Sequence, residues 1–197
     1  MEEHDGTRPT PDECNGESAV SIERPDVSVV DRLLDLWVAL ASGQREHGSH
    51  ILASDNRAAV RDTLARHVVT GGTRVARRGD EVVGFVTFDI ERGSYEQDET
   101  RGIVRNVYVD PAFRGDGIGT ALMDDAETAL REAGATVISL EALARNRRAR
   151  KFYRDRGYEP HRIQFEKPIQ RNDGDSPTAD DNALGPSTEN DTHSKED

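Results

Sequence analysis

Apolar positions along the chain recur at two different periods, and their alternation predicts a domain of mixed helix and strand. Leu33, Leu34, Trp37, Val38 and Leu40 follow Asp31, a residue type that caps helix starts, and predict a helix over 31–42. Val60, Leu64 and Val68 stand at helical spacing behind Asp55 and predict a second helix to 69, ended by Gly71-Gly72. Strand-like runs follow at 74–77 and 82–90, joined by the turn Arg78-Gly79-Asp80-Glu81, and again at 103–109, where Asp110-Pro111 stops the run. Ile118, Ala121, Leu122, Ala126 and Leu130 share one face of a helix over 117–133. A short strand at 136–140, a helix at 146–156 closed by Gly157, and a last strand over 158–169 complete the set, with 19–22 a short opening strand. This order predicts an α+β fold, a mixed and mostly antiparallel sheet of six to seven strands with about four helices on both faces.

Charge divides the chain. The net charge of −12 is concentrated at the ends: residues 1–18 hold six acidic groups against Arg8, and 170–197 hold eight against Arg171 and Lys195. Both ends are polar and too poor in apolar residues to offset their ordering entropy, so acidic disordered tails are expected at 1–18 and 170–197, flanking a folded domain at 19–169. Three lysines against 23 arginines, with excess acid, fit a high-salt cytoplasm; a GC-rich codon bias explains the arginines equally well. No run of 18 apolar residues and no signal-peptide pattern occurs, so no membrane partner and a cytoplasmic location are expected. Cys14 stands alone, which excludes an intrachain disulfide.

The strongest chemical signal is a strand, a turn, and then Arg114-Gly115-Asp116-Gly117-Ile118-Gly119-Thr120 opening a helix. Glycines let backbone amides approach a ligand, and a helix start presents unpaired N–H groups and partial positive charge, a combination suited to a pyrophosphate. Spacing excludes two familiar phosphate loops. A dinucleotide fingerprint needs Gly or Ala where Thr120 stands, and a P-loop needs a lysine that is absent. His47-x-x-His50 offers too few ligands for zinc, and no metal is expected. Glu96, Asp98 and Glu99 read as a solvated loop. Nucleic acid is not an expected partner, because the basic helix containing Arg147, Arg150, Lys151 and Arg154 has no aromatic interleaving.

Val107-Tyr108-Val109-Asp110-Pro111 followed by Arg114-x-x-Gly117-x-Gly119 resembles the acetyl-CoA motif of the GCN5-related N-acetyltransferases (GNAT). A second family motif follows at the expected distance, Asn146-x-x-Ala149-x-x-Phe152-Tyr153-x-x-x-Gly157-Tyr158. The resemblance covers about 73–167 and implies the GNAT fold with acetyl-CoA as co-substrate. It implies that Val107, Tyr108 and Val109 splay from the next strand to meet the pantetheine arm, the Val109 amide polarising the thioester. It further implies that amides of Gly115, Asp116, Gly117, Ile118, Gly119 and Thr120 grip the pyrophosphate beside Arg114. In the same pattern Asn146 bonds pantetheine or orients the acceptor, Tyr153 reprotonates the CoA thiolate, and the basic helix meets the 3′-phosphate or solvent. Family members are often homodimers.

The general base departs from a common pattern. Many relatives carry glutamate two residues before the position of Val107, where this chain has Arg105. Glu141, five residues before Asn146, has the spacing of the branch that acetylates N-terminal amines of ribosomal proteins, where such a glutamate is the base. It reads equally well as a structural carboxylate. At pH 7 a lysine-like amine costs about 4–5 kcal/mol to deprotonate and an α-amine about 1, which favours a protein or peptide N-terminal amine as acceptor over other small amines. A non-catalytic acyl-CoA sensor is the rival class.

Overall fold

The computed structural model describes residues 19–92 and 97–169. The two expected tails and Glu96 therefore lie outside the described residues. Two units are distinguished, Met1–Glu159 and Pro160–Asp197.

The first unit is built on five strands, β1 (Val20–Glu23), β2 (Thr73–Arg78), β3 (Glu81–Ile90), β4 (Arg101–Val109) and β5 (Val137–Leu140), in spatial order β1-β2-β3-β4-β5. All neighbours are antiparallel except β4 and β5, which run parallel. Helices α1 (Val30–Gln44) and α2 (Arg57–Thr70) precede β2, α3 (Ile118–Glu132) crosses from β4 to β5, and α4 (Arg147–Asp155) follows β5.

Alternation along the strands feeds two cores, one on each face. Val75, Phe85 and Tyr108 pack with Leu33, Leu36, Trp37, Leu64 and Val68 under α1 and α2. Ala76, Val86, Phe88 and Val104 pack with Ile118, Leu122, Met123 and Leu130 of α3. Close strand approach needs glycine at 84, where a Cβ would stand 2.8 Å from the Tyr108 carbonyl oxygen. Gly71 ends α2 in the left-handed region (φ 81°), as its position predicted.

Three expectations are corrected. The sheet of the described residues has five strands, not six or seven. The predicted strand over 158–169 is absent: residues 160–169 carry no regular structure, and Ile163, Phe165 and Ile169 are exposed. Pro160 and Pro168 each lack an amide donor, and alternation within the residues between them is only a local preference without a ladder. Finally, α2 begins two residues beyond Asp55, because the Asn56 side chain bonds the Leu52 carbonyl (2.8 Å) and holds a preceding turn.

Candidate active site

The site grows from irregularities in β4. Its pairing with β5 runs from Arg101↔Val137 to Val104↔Leu140 and then stops, so residues 105–109 have no strand partner on that side. On the other side β4 stays paired with β3, but the register shifts: Asn106 faces Thr87 and Val104 faces Phe88, leaving Arg105 as the extra residue of a bulge. The Asp110 amide bonds the Val83 carbonyl of β3 (2.8 Å). Period-two alternation therefore turns the backbone groups of Val107 and Val109 into the open splay and those of Tyr108 toward β3. The Arg114 side chain confirms the direction by donating from Nε to the Val109 carbonyl (2.8 Å), its guanidinium lying 5.5 Å from the centre of the Tyr108 ring.

Beyond Arg114 the exposed loop enters α3. Gly115 (φ 110°) and Gly117 (φ 76°) occupy the left-handed region with open space where a Cβ would project, so their backbone angles, not crowding, call for glycine. Gly117 starts α3 without a side-chain cap, and the first helical bond comes from the Ala121 amide to its carbonyl (3.0 Å). The amides of Ile118, Gly119 and Thr120 thus have no acceptor within the helix. The buried Ile118 side chain fixes this first turn while its backbone faces outward. An anionic group fits here, and no acidic side chain occupies the turn.

Helix α4 closes the other wall. Asn146 caps it, Oδ1 accepting from the Ala149 amide (3.0 Å), which leaves the side-chain Nδ2 for any second role. The Tyr153 ring packs edge-on against Phe152 (5.4 Å between centroids) and Tyr158 (6.0 Å). Burial pushes its hydroxyl pKa above the ordinary value, so near neutral pH it holds its proton and can donate one. A groove of about 450 Å³ is lined by Thr120, Phe152, Asp155 and Arg156. On the basic helix, Lys151 pairs with Asp155 (2.6 Å) and Arg150 donates to the Ala144 carbonyl (2.9 Å), while Arg147 and Arg154 are exposed. Glu141 lies exposed one residue past β5, with no hydrogen bond to another described residue.

The profile of the Acetyltransferase (GNAT) family matches residues 31–158. The chain belongs to that family. An uncharacterized N-acetyltransferase of Archaeoglobus fulgidus is 38% identical over 82 residues, 42% of this chain and 56% of the relative. The chain thus spans little more than half of that protein. The aminoalkylphosphonate N-acetyltransferase of Salmonella typhimurium is 30% identical over 113 residues, 56% of this chain and 73% of the relative. Among solved structures, a GCN5-related N-acetyltransferase from Ralstonia eutropha superposes with a TM-score of 0.63 at 24% identity, covering 77% of this chain and 99% of that one. The PaiA N-acetyltransferase of Thermoplasma acidophilum in complex with coenzyme A reaches 0.63 at 14%, covering 74% and 93%. These two likenesses establish the GNAT fold.

Two arrangements escaped the sequence pattern. Arg156 donates to Asp124 (2.6 Å) and Glu127 (2.9 Å), and the Tyr158 hydroxyl donates to the same Glu127 oxygen (3.0 Å), tying α4 to α3. In the sequence Arg105 reads only as the absence of a glutamate; its fork pairs with Asp89 of β3 at 3.2 Å through both Nε and Nη2. The only available signal was opposite charge at positions that the register makes neighbours. Among the described residues no three His, Cys, Asp or Glu side chains converge as metal ligands, and no helix is long and apolar enough to cross a membrane.

Proposed function

We propose that the chain is an N-acetyltransferase that moves the acetyl group of acetyl-CoA to a primary amine by direct attack in a ternary complex. The observation that carries this reading is the open side of β4 at 105–109 beside an uncapped, exposed start of α3. The amides of Gly115 through Thr120 grip the pyrophosphate, with Arg114 beside them; Val107, Tyr108 and Asn146 hold the pantetheine arm. The amine nitrogen attacks the thioester carbonyl carbon, whose oxygen takes up negative charge against the Val109 amide. The C–S bond then breaks, and the departing thiolate takes its proton from the Tyr153 hydroxyl. The proton lost by the amine passes to Glu141, directly or through water.

The acceptor we favour is a low-pKa α-amine of the peptide N-terminal kind, which costs only about 1 kcal/mol to present neutral at pH 7. A small-molecule amine is the second reading, supported by the relative that acts on aminoalkylphosphonates. Thiol release from acetyl-CoA across N-terminal peptides and small amines, at low and high salt, tests both. Binding of CoA with no release above background for any acceptor would make the chain a sensor instead of an enzyme.

A further inference from the structure

The α2 side of the β4 bulge holds charged groups that the chemistry above leaves unused. In the proposed site the cofactor grip and α4 lie with α3 on one face of the sheet, which leaves the face of α1 and α2 for the amine. On that face the last turn of α2 brings His67 to the Arg105–Asp89 pair, both of whose charges act on the imidazole. The His67 ring bonds the Phe88 backbone, and burial holds its pKa below the ordinary value, so at pH 7 it adds no charge. Asn106 is committed to the Thr87 hydroxyl (2.9 Å).

The pair itself is accessible: the Arg105 and Asp89 side chains are 49% and 35% exposed. Asp89 engages Nε and Nη2 of Arg105, and no described residue accepts from Nη1. Arg105 therefore offers donors in the planar geometry that suits a carboxylate or phosphonate. The carboxylate of Asp89, which would repel a simple anion, suits the ammonium end of a zwitterion. Arg105 stands two residues before Val107, about 7 Å along the strand, so an anion held there lies within a few bonds of an amine placed at the splay.

Resting on the transferase reading above, we infer that the acceptor is a primary amine bearing an acidic group close to the nitrogen, with Arg105 as the anchor that selects it. The acid has two sources, an acidic first residue of a peptide or a small aminocarboxylate or aminophosphonate, and these form separate arms of the test. Matched acceptors are compared by thiol release: Asp- and Glu-initiated peptides against Asn- and Gln-initiated ones, glycine against glycinamide, and aminomethylphosphonate against ethylamine. The acidic member of at least one set is expected to have a kcat/KM higher by about tenfold to a hundredfold, the range of a charge-assisted hydrogen bond. Arg105→Ala should collapse that ratio toward one and Arg105→Lys should keep part of it, while the KM for acetyl-CoA stays put. Equal rates for acidic and neutral partners of the wild-type chain overturn the inference and leave the transferase reading intact. Should nothing be turned over, calorimetric titration of aminomethylphosphonate and ethylamine into the CoA-saturated protein still decides, and equal or absent binding overturns it.

Discussion

Removing the Arg156 side chain should loosen α4 from the domain, and the size of the effect can be worked from its contacts. Helix α4 contributes no fully buried side chain; it is held by the rings of Phe152 and Tyr153 and by the Arg156 fork. The Arg156 side chain is 13% exposed and that of Glu127 22%, whereas Asp124 is 63% exposed. The bond to Asp124 is therefore screened and contributes about 0.5 kcal/mol. Breaking a fully buried pair costs about 3–5 kcal/mol, because a charge is left without its partner. Glu127 keeps the Tyr158 hydroxyl and some water, so about 2–3 kcal/mol is the appropriate figure here. Arg156→Ala is expected to lose about 3 kcal/mol in total, a fall in melting temperature of about 6–12 °C for a chain this size.

Chemical and thermal unfolding measure this loss directly, and a double substitution gives the control. Arg156→Met with Glu127→Gln removes both charges together, keeps an acceptor for the Tyr158 hydroxyl, and should stay within about 1 kcal/mol of wild type, since removing both members of a buried ion pair is often neutral. The affinity for CoA should fall in Arg156→Ala and recover in the double variant. A single variant within about 0.5 kcal/mol of wild type, or a double variant worse than the single, would refute the reasoning that this pair fixes α4.

Other expectations follow from the same geometry. Tyr153→Phe should lower kcat by about a hundredfold or more with little change in acetyl-CoA affinity, read by single-turnover kinetics; an unchanged rate removes its role as acid. Glu141→Gln should depress kcat most where the acceptor amine is largely protonated, with partial recovery as pH rises past the amine's pKa. It should leave the melting temperature unchanged, since the carboxylate is exposed with no hydrogen bond to another described residue; a loss of stability alone would make it structural. Tyr108, Tyr153 and Tyr158 have pKa values raised chiefly by burial, so the folded state holds these protons more tightly than the unfolded chain. Their stabilisation is complete below the unfolded value of about 10 and is lost as pH rises beyond it. Urea midpoints should accordingly fall above that pH, less steeply in Tyr158→Phe. Gly117→Ala should cost about 1–2 kcal/mol through its left-handed φ and weaken CoA binding by displacing the first-turn amides, whereas Gly117→Asn should do less damage on both measures.

What could be read in the sequence was whatever depends on neighbours in the chain. Helix ends at Gly71 and Gly157, the start at Gly117 and the faces of α1 and α3 follow from local angles and spacing. The strand expected at 158–169 failed because a strand is defined by its partner, which no local pattern supplies. Tyr158, assigned to that strand, instead sends its hydroxyl 31 residues back to Glu127. The Arg105–Asp89 and Arg156–Glu127 pairs were invisible for the same reason: each joins separate elements and has no period to betray it. The splay of β4 came only through the likeness to a family, since nothing in the residues 105–109 themselves says where pairing with β5 should stop.

That stopping point is where the two halves of the proposed reaction meet. Pairing with β5 ends at Val104, and the bulge against β3 inserts the next residue, Arg105. Had β4 continued regularly, with β5 alongside, the Val107 and Val109 amides would be consumed in a ladder. Without a bulge, the alternation of 106–109 would run on unbroken and send Arg105 toward the other face. In the proposed reaction, ending the ladder frees backbone for the thioester, and the bulge permits a side chain beside it to face the acceptor. The cofactor side then depends mostly on backbone groups and glycine angles, which many sequences can provide. On the same proposal the acceptor side depends on the single side chain inserted at the bulge and on its partner Asp89, so substitution there is expected to change selectivity while the cofactor grip is kept.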